Sequence, residues 1–324
     1  MPAHRFLAGS CLLLLSALQA AAAADILKVA LKERSNVVVT DIQASMTVSL
    51  RKCDAFGNIY VRVVGSGSPL KSPITKIGAD GKVKATYSYV DYGHAIDFTI
   101  SKTGVDVIAS QGPVDSLLHF ADDGKLDNVT KLPFGNELRA TGLIQAGEIL
   151  LFHGEKGSPD ENPQRVMFTI SPAGEIVYID AHGSLGKDDK SALAGLIQMT
   201  SDESGNVFVM RSSDPVVVLE LSGTELVKTY SISSPEPGYF PSMIYANHGR
   251  IAIQFQELHE GRAGSKMVGP NGVIRVTDEV SGEPLVDYVT PTHTRLDCQV
   301  GLTEFVALCP SNDDRRFHLV TFSE

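Results

Sequence analysis

The sequence predicts an all-β fold: a six-bladed β-propeller of four-stranded antiparallel blades, its ring closed by an N-terminal strand. Three observations predict it. A glycine turn recurs along the chain, a second series of glycine turns lies between its copies, and the last unit stops one strand short while a spare strand stands near the start.

The first turn is clearest in residues 53–61 (CDAFGNIYV) and 201–209 (SDESGNVFV). Both read Asp-x-x-Gly-Asn, then apolar, aromatic, Val. Glycine supplies the positive φ of a tight turn, and Asp and Asn side chains bond neighbouring backbone amides. The alternation that follows is that of a half-buried strand. Weaker copies turn at Gly104, Gly147, Gly249 and Gly301, at intervals of roughly 40 to 60 residues, near blade length. Asp80-Gly81-Lys82, Asp123-Gly124-Lys125, Ala173-Gly174-Glu175, Ser222-Gly223-Thr224 and Ser281-Gly282-Glu283 form the second series, each between two apolar runs. Every unit thus holds two hairpins, the content of a propeller blade. Two β-sandwich domains are the alternative. Helical patterning is scarce, with 187–196 room for a turn or two.

The sixth unit shows strands near 294–298, 304–309 and 317–322, then ends. The spare strand is 36–40, upstream of the first blade's inner strand near 46–50. Pairing it onto the last blade covers an edge that otherwise invites aggregation.

The chain begins with a short basic start (His4, Arg5), an apolar core around 12–15 and alanines at 20–24. Small residues at −3 and −1 suit signal peptidase. Residues 1–24 are therefore expected to be an export signal cut after Ala23 or Ala24, leaving one propeller domain over 25–324 in a secreted or periplasmic setting. The apolar core is short for a bilayer span, and no later segment approaches one. A 43 % hydrophobic content can build a sizeable core, and a net charge of −10 argues against binding phosphate backbones. Cys53, Cys298 and Cys309 remain in the mature chain. Cys53 and Cys298 stand seven residues before Tyr60 and Phe305 respectively, which reads as matching positions on neighbouring blades, too far apart for a bridge. Three free thiols are expected.

The motif at Asp54 and Asp202 resembles that of NHL-like and TolB-like six-bladed propellers of the exported bacterial type. It is a blade turn, so the resemblance implies a fold and no activity. With no Trp, the chain lacks the Trp-Asp dipeptide of WD repeats and the Trp docking motifs of quinoprotein propellers. Some six-bladed relatives are metal-dependent lactonases with carboxylate and amide ligands at the channel mouth. Those ligands have no residue-by-residue match here.

Gly-x-Ser-x-Gly, His-Glu-x-x-His, P-loop and Cys-x-x-Cys motifs are all absent from the sequence. Asp122-Asp123-Gly124-Lys125 reads as a hairpin turn rather than a calcium loop. In a four-stranded blade the tight turns share one face, and the longer loops and blade-to-blade crossings share the other. Functional residues concentrate on such loops. The crossings carry Tyr92, His94, Arg139, His182, Tyr239, His293 and Arg295, side chains suited to a polar or anionic ligand, or to a metal through the histidines. Two apparent insertions, 154–165 and 259–271, lie on the same face. The sequence thus points to an exported binding or interaction module that takes a protein partner or a small polar or anionic ligand on the long-loop face. The alternative is a metal-dependent, lactonase-like hydrolase with its site at the channel mouth. No cofactor is expected; a divalent metal is the one candidate.

Overall fold

The computed structural model describes residues 26–43, 47–64, 72–135, 137–157, 163–179, 196–260, 266–311 and 313–324. Two strands, β1 (Leu27–Ala30) and β2 (Lys32–Gln43), precede the first blade. Blade one is β3 (Thr47–Cys53), β4 (Ile59–Val64), β5 (Ile74–Ile77) and β6 (Val83–Tyr87). Blade two is β7 (His94–Ser101), β8 (Gly104–Gln111), β9 (Val114–Ala121) and β10 (Leu126–Lys131). Blade three is β11 (Leu138–Ala146), β12 (Ile149–Lys156), β13 (Gln164–Ile170) and β14 (Ile176–Tyr178). Blade four is β15 (Leu196–Ser201), β16 (Val207–Arg211), β17 (Val216–Ser222) and β18 (Glu225–Ile232). Blade five is β19 (Tyr239–Asn247), β20 (Arg250–Glu260), β21 (Lys266–Asp278) and β22 (Pro284–Val289). Blade six is β23 (Cys298–Gln299), β24 (Phe305–Pro310) and β25 (Arg316–Ser323), completed by β2. The fold is a six-bladed β-propeller.

The turns form as their residues dictate. Asp54 Oδ1 accepts the Phe56 and Asn58 amides, Asn58 Nδ2 donates to Asp54 Oδ2 at 2.7 Å, and Gly57 has φ 77°. Asp202 and Asn206 repeat the arrangement around Gly205. Every glycine of both turn series lies between or at the ends of consecutive strands of one blade.

The ring closes as expected. Asn36 to Val39 pair antiparallel with Val320 to Phe317 of β25. Unexpectedly, β1 adds a fifth, parallel strand to blade five, with Leu27 beside Val286. One N-terminal segment therefore covers the outer edges of two blades. Of 259–271, residues 259–260 end β20 and 266–271 open β21, and 261–265 lie outside the described residues. Of 154–165, residues 154–156 and 164–165 are strand. The 187–195 part of the helical candidate lies outside the described residues.

The core lies between blades. Tyr60, Ile74 and Tyr87 of blade one meet Phe98, Val107 and Phe120 of blade two. Phe208, Val218 and Tyr230 of blade four meet Ile244, Ile251 and Phe255 of blade five.

The cysteine expectation is corrected here. Ile59 pairs with Cys53, but Phe305 pairs with Gln299. Phe305 therefore corresponds to Ile59, and Cys298 corresponds to Lys52, one residue away from the assumed match. A one-residue slip turns a side chain to the opposite face of its strand. Cys53 thus points with Ile59 and Val61, and Cys298 with Val306 and Leu308, into one core between blades six and one. Their Cα atoms are 5.8 Å apart and the two residues form a disulfide. Cys309, half-buried, is the free cysteine among the described residues.

Candidate functional site

The predicted mouth residues fall into three places. Tyr92 ends a short 3-10 turn (Val90–Tyr92) and His94 opens β7, both half-buried between blades one and two. Arg139 is the second residue of β11, exposed and paired in register with Glu155. Tyr239 opens β19, and His293 and Arg295 lie exposed in the crossing from blade five to blade six. His182 lies outside the described residues. Among the described residues no hydrogen bond or ion pair joins two of these side chains.

The last three surround blade five. Its β20–β21 hairpin outruns its neighbours, with Leu258, His259 and Glu260 paired to Val268, Met267 and Lys266 beyond the ends of β19 and β22. Both flanking crossings grip the hairpin. The Leu258 amide donates to Gly238 O at 2.9 Å, and the His293 amide donates to Pro270 O at 2.7 Å. His293 adopts φ 60° to do so, a conformation that a histidine tolerates better than most residues. Asn271 Nδ2 and His259 Nε2 both approach Glu257. Burial, then Glu257 and Glu236, raise the Tyr239 phenol above its ordinary range. Met267 and Val268 are about 60 % exposed at 60 % and 62 %, with Phe240 at 39 %. Met267 and Val268, as consecutive strand residues, expose one apolar side chain on each face of the hairpin. Sequence reading missed this hairpin because its glycines resemble loop punctuation.

A second polar group lies inside the ring. The inner strands β3, β7, β11, β15 and β19 each carry a register shift, at residues 50, 96, 141, 197 and 242. A bulge re-aims the residue after it. After two of these shifts, Arg51 and Asp97 carry charge. Each inner strand leaves one edge unpaired towards the axis, and those backbone groups need partners. Asp97 Oδ2 accepts the Leu143 amide at 2.9 Å, and Thr99 Oγ1 accepts the Gln145 amide at 3.0 Å. Lys52 Nζ donates to Asp97 Oδ2 at 3.0 Å and to Leu143 O at 2.9 Å. Lys52 belongs to blade one and Leu143 to blade three, so the bridge passes through the central channel.

His153 adjoins this bridge. Its ring lies over Gly142, where any Cβ would collide with it, and its Nδ1 is 2.9 Å from Thr141 Oγ1. Burial pushes its pKa down to about 4; Asp97 opposes the shift, while Lys52 and Arg165 reinforce it. Between pH 6.5 and 4 the unfolded chain therefore binds a proton here that the folded chain refuses, so stability is lost as pH falls through that window. The expected loss is about 2–3 kcal/mol. His153→Gln should remove that part of the acid sensitivity in urea titrations at pH 7 and pH 4.5. An unchanged difference between the two pH values would count against it.

Among the described residues, no group of three or more His, Cys, Asp and Glu side chains converges in a metal-holding arrangement, and no helix is long and apolar enough to cross a membrane.

Fold and surface together define a β-propeller with a projecting hairpin on one blade. No protein-family model matches the chain, and no curated protein matches it in sequence. Solved structures do match. A luciferin-regenerating enzyme is 10 % identical with a TM-score of 0.52, over 90 % of this chain and 95 % of that one. The WD40 domain of Neurospora crassa Pan2 is 11 % identical with a TM-score of 0.49, over 90 % and 95 %. BamB from Moraxella catarrhalis is 9 % identical with a TM-score of 0.42, over 91 % and 100 %. The likeness to the luciferin-regenerating enzyme, at 10 % identity, speaks for the fold alone.

Proposed function

We propose that this chain is an exported, NHL-like propeller acting as a non-catalytic binding module, and that it engages a protein partner on the long-loop face of blade five. The observation that carries this reading is the β20–β21 hairpin, bonded by both crossings and presenting exposed Met267 and Val268, one on each face of β21. Apolar anchors on a rigid element, rimmed by polar groups such as Tyr239, His293 and Arg295, suit a protein interface. The leader-like residues 1–24 and the Cys53–Cys298 disulfide support export, since disulfides persist in oxidising compartments.

The test compares tagged wild-type protein with a Met267→Asp/Val268→Asp variant in affinity isolation from the exported fraction of the producing cells. Both side chains are exposed, so melting temperature should hold within about 1 °C. Losing two buried apolar contacts should cut retention of the partner by about tenfold or more. Equal retention by both forms would remove the hairpin from the interface. One equivalent of divalent metal in the purified protein would favour the hydrolase reading instead.

A further inference from the structure

We propose that the central channel holds a second site, for a small neutral polyol or sugar, built from Lys52, Asp97 and His153. The bridge from blade one to blade three places these groups inside the ring. Their bonding is incomplete. An ammonium has three donors, and Lys52 uses two of them, on Asp97 and Leu143. Asp97 directs both of its bonds to Oδ2, which leaves Oδ1 without a partner among the described residues. His153 is held through Nδ1, which leaves Nε2 open over Gly142. Asp97 Oδ1 and His153 Nε2 are not among the described side-chain atoms that are buried without a partner. The Lys52 side chain keeps 30 % of its surface exposed and that of Asp97 12 %. The channel therefore presents the third Lys52 N–H, beside the Phe98 ring, and the free Asp97 Oδ1, with the His153 imidazole near enough to feel both charges.

Charge selects the ligand class. Asp97 already neutralises Lys52, and burial keeps His153 uncharged at neutral pH. An anion would have to displace Asp97 from Lys52 and leave that carboxylate unpaired, which is costly in a partly dry site. A hydroxyl both donates and accepts, so neighbouring hydroxyls on one small molecule match a mixed donor and acceptor wall. The glycine at 142 gives the imidazole room to lie against the inner strand β11. This site is independent of the blade-five face.

Histidine ring signals of the isotope-labelled protein, titrated with myo-inositol and separately with glucose, test the proposal. One histidine should shift saturably, and calorimetric titration with the same polyols should show binding weakened about tenfold or more in His153→Gln, a side chain that ties no two blades together. Lys52→Met and Asp97→Asn should weaken binding by about tenfold or more, with thermal melts checking that each variant is folded. The proposal is overturned by no saturable shift with either polyol, by equal binding in His153→Gln, or by acetate or phosphate binding in their place. The Met267→Asp/Val268→Asp variant should bind the polyol like wild type.

Discussion

Replacing Cys53 by serine is expected to lower the melting temperature by about 4–10 °C. Loss of a native disulfide costs about 2–5 kcal/mol, and a domain of this size shifts by about 2 °C per kcal/mol. The bridge joins positions 245 residues apart and fastens blade one to blade six beside the strand that closes the ring. A cross-link over so long a loop restricts the unfolded chain strongly. Cys298→Ser should match Cys53→Ser, because each removes the same bond, while Cys309→Ser should change far less. Thiol titration of denatured, unreduced protein lacking residues 1–24 should find one thiol, Cys309, rising to three after reduction. Three thiols before reduction, or melting unaffected by Cys53→Ser, would contradict the covalent seam.

Asp297→Ala is expected to be at least as damaging, by about 3–5 kcal/mol or about 6–10 °C. The Asp297 side chain is 1 % exposed. Its carboxylate accepts Arg51 Nη1 at 2.9 and 3.0 Å and the Leu308 amide at 2.7 Å. Burial pushes its pKa up, and Arg51 and the amide pull it back. Alanine would strand a partly buried guanidinium and a buried amide in the seam that the disulfide crosses. Asp297→Asn keeps an acceptor for the amide and should cost less. Calorimetry on both variants decides it, and a loss below about 1 kcal/mol for alanine would show that water replaces the carboxylate freely.

The blade count and the closing strand were legible because turn chemistry is local. Asp54, Gly57 and Asn58 specify their turn from within five residues, and Asp202, Gly205 and Asn206 do the same. Register was harder. Both Cys53 and Cys298 precede an aromatic residue by seven positions, yet only the ladder shows that Phe305 answers Ile59 rather than Tyr60. One residue decided which face each sulfur takes, and so whether the two could meet. The inner-strand shifts at residues 50, 96 and 141 leave no mark in composition, so Lys52 and Asp97 looked like ordinary strand residues. The surface hairpin was hidden for another reason. Its Gly-rich sequence from 261 to 272 reads as a loop, although the backbone on both sides continues the ladder. Of the predicted mouth residues, Tyr239 and His293 adjoin that hairpin and Arg295 reaches Met243 of β19, because crossings end where blades begin.

Site-specific photo-cross-linking tests the binding-module account most directly. A photoreactive residue at Met267 should give one discrete adduct with a partner protein in the exported fraction, reduced by excess unlabelled protein. The same residue at Phe56, 86 % exposed on the tight-turn face, should give none. Adducts at Phe56 and not at Met267, or only a cross-linked dimer of the chain itself, would contradict a partner-binding site on blade five.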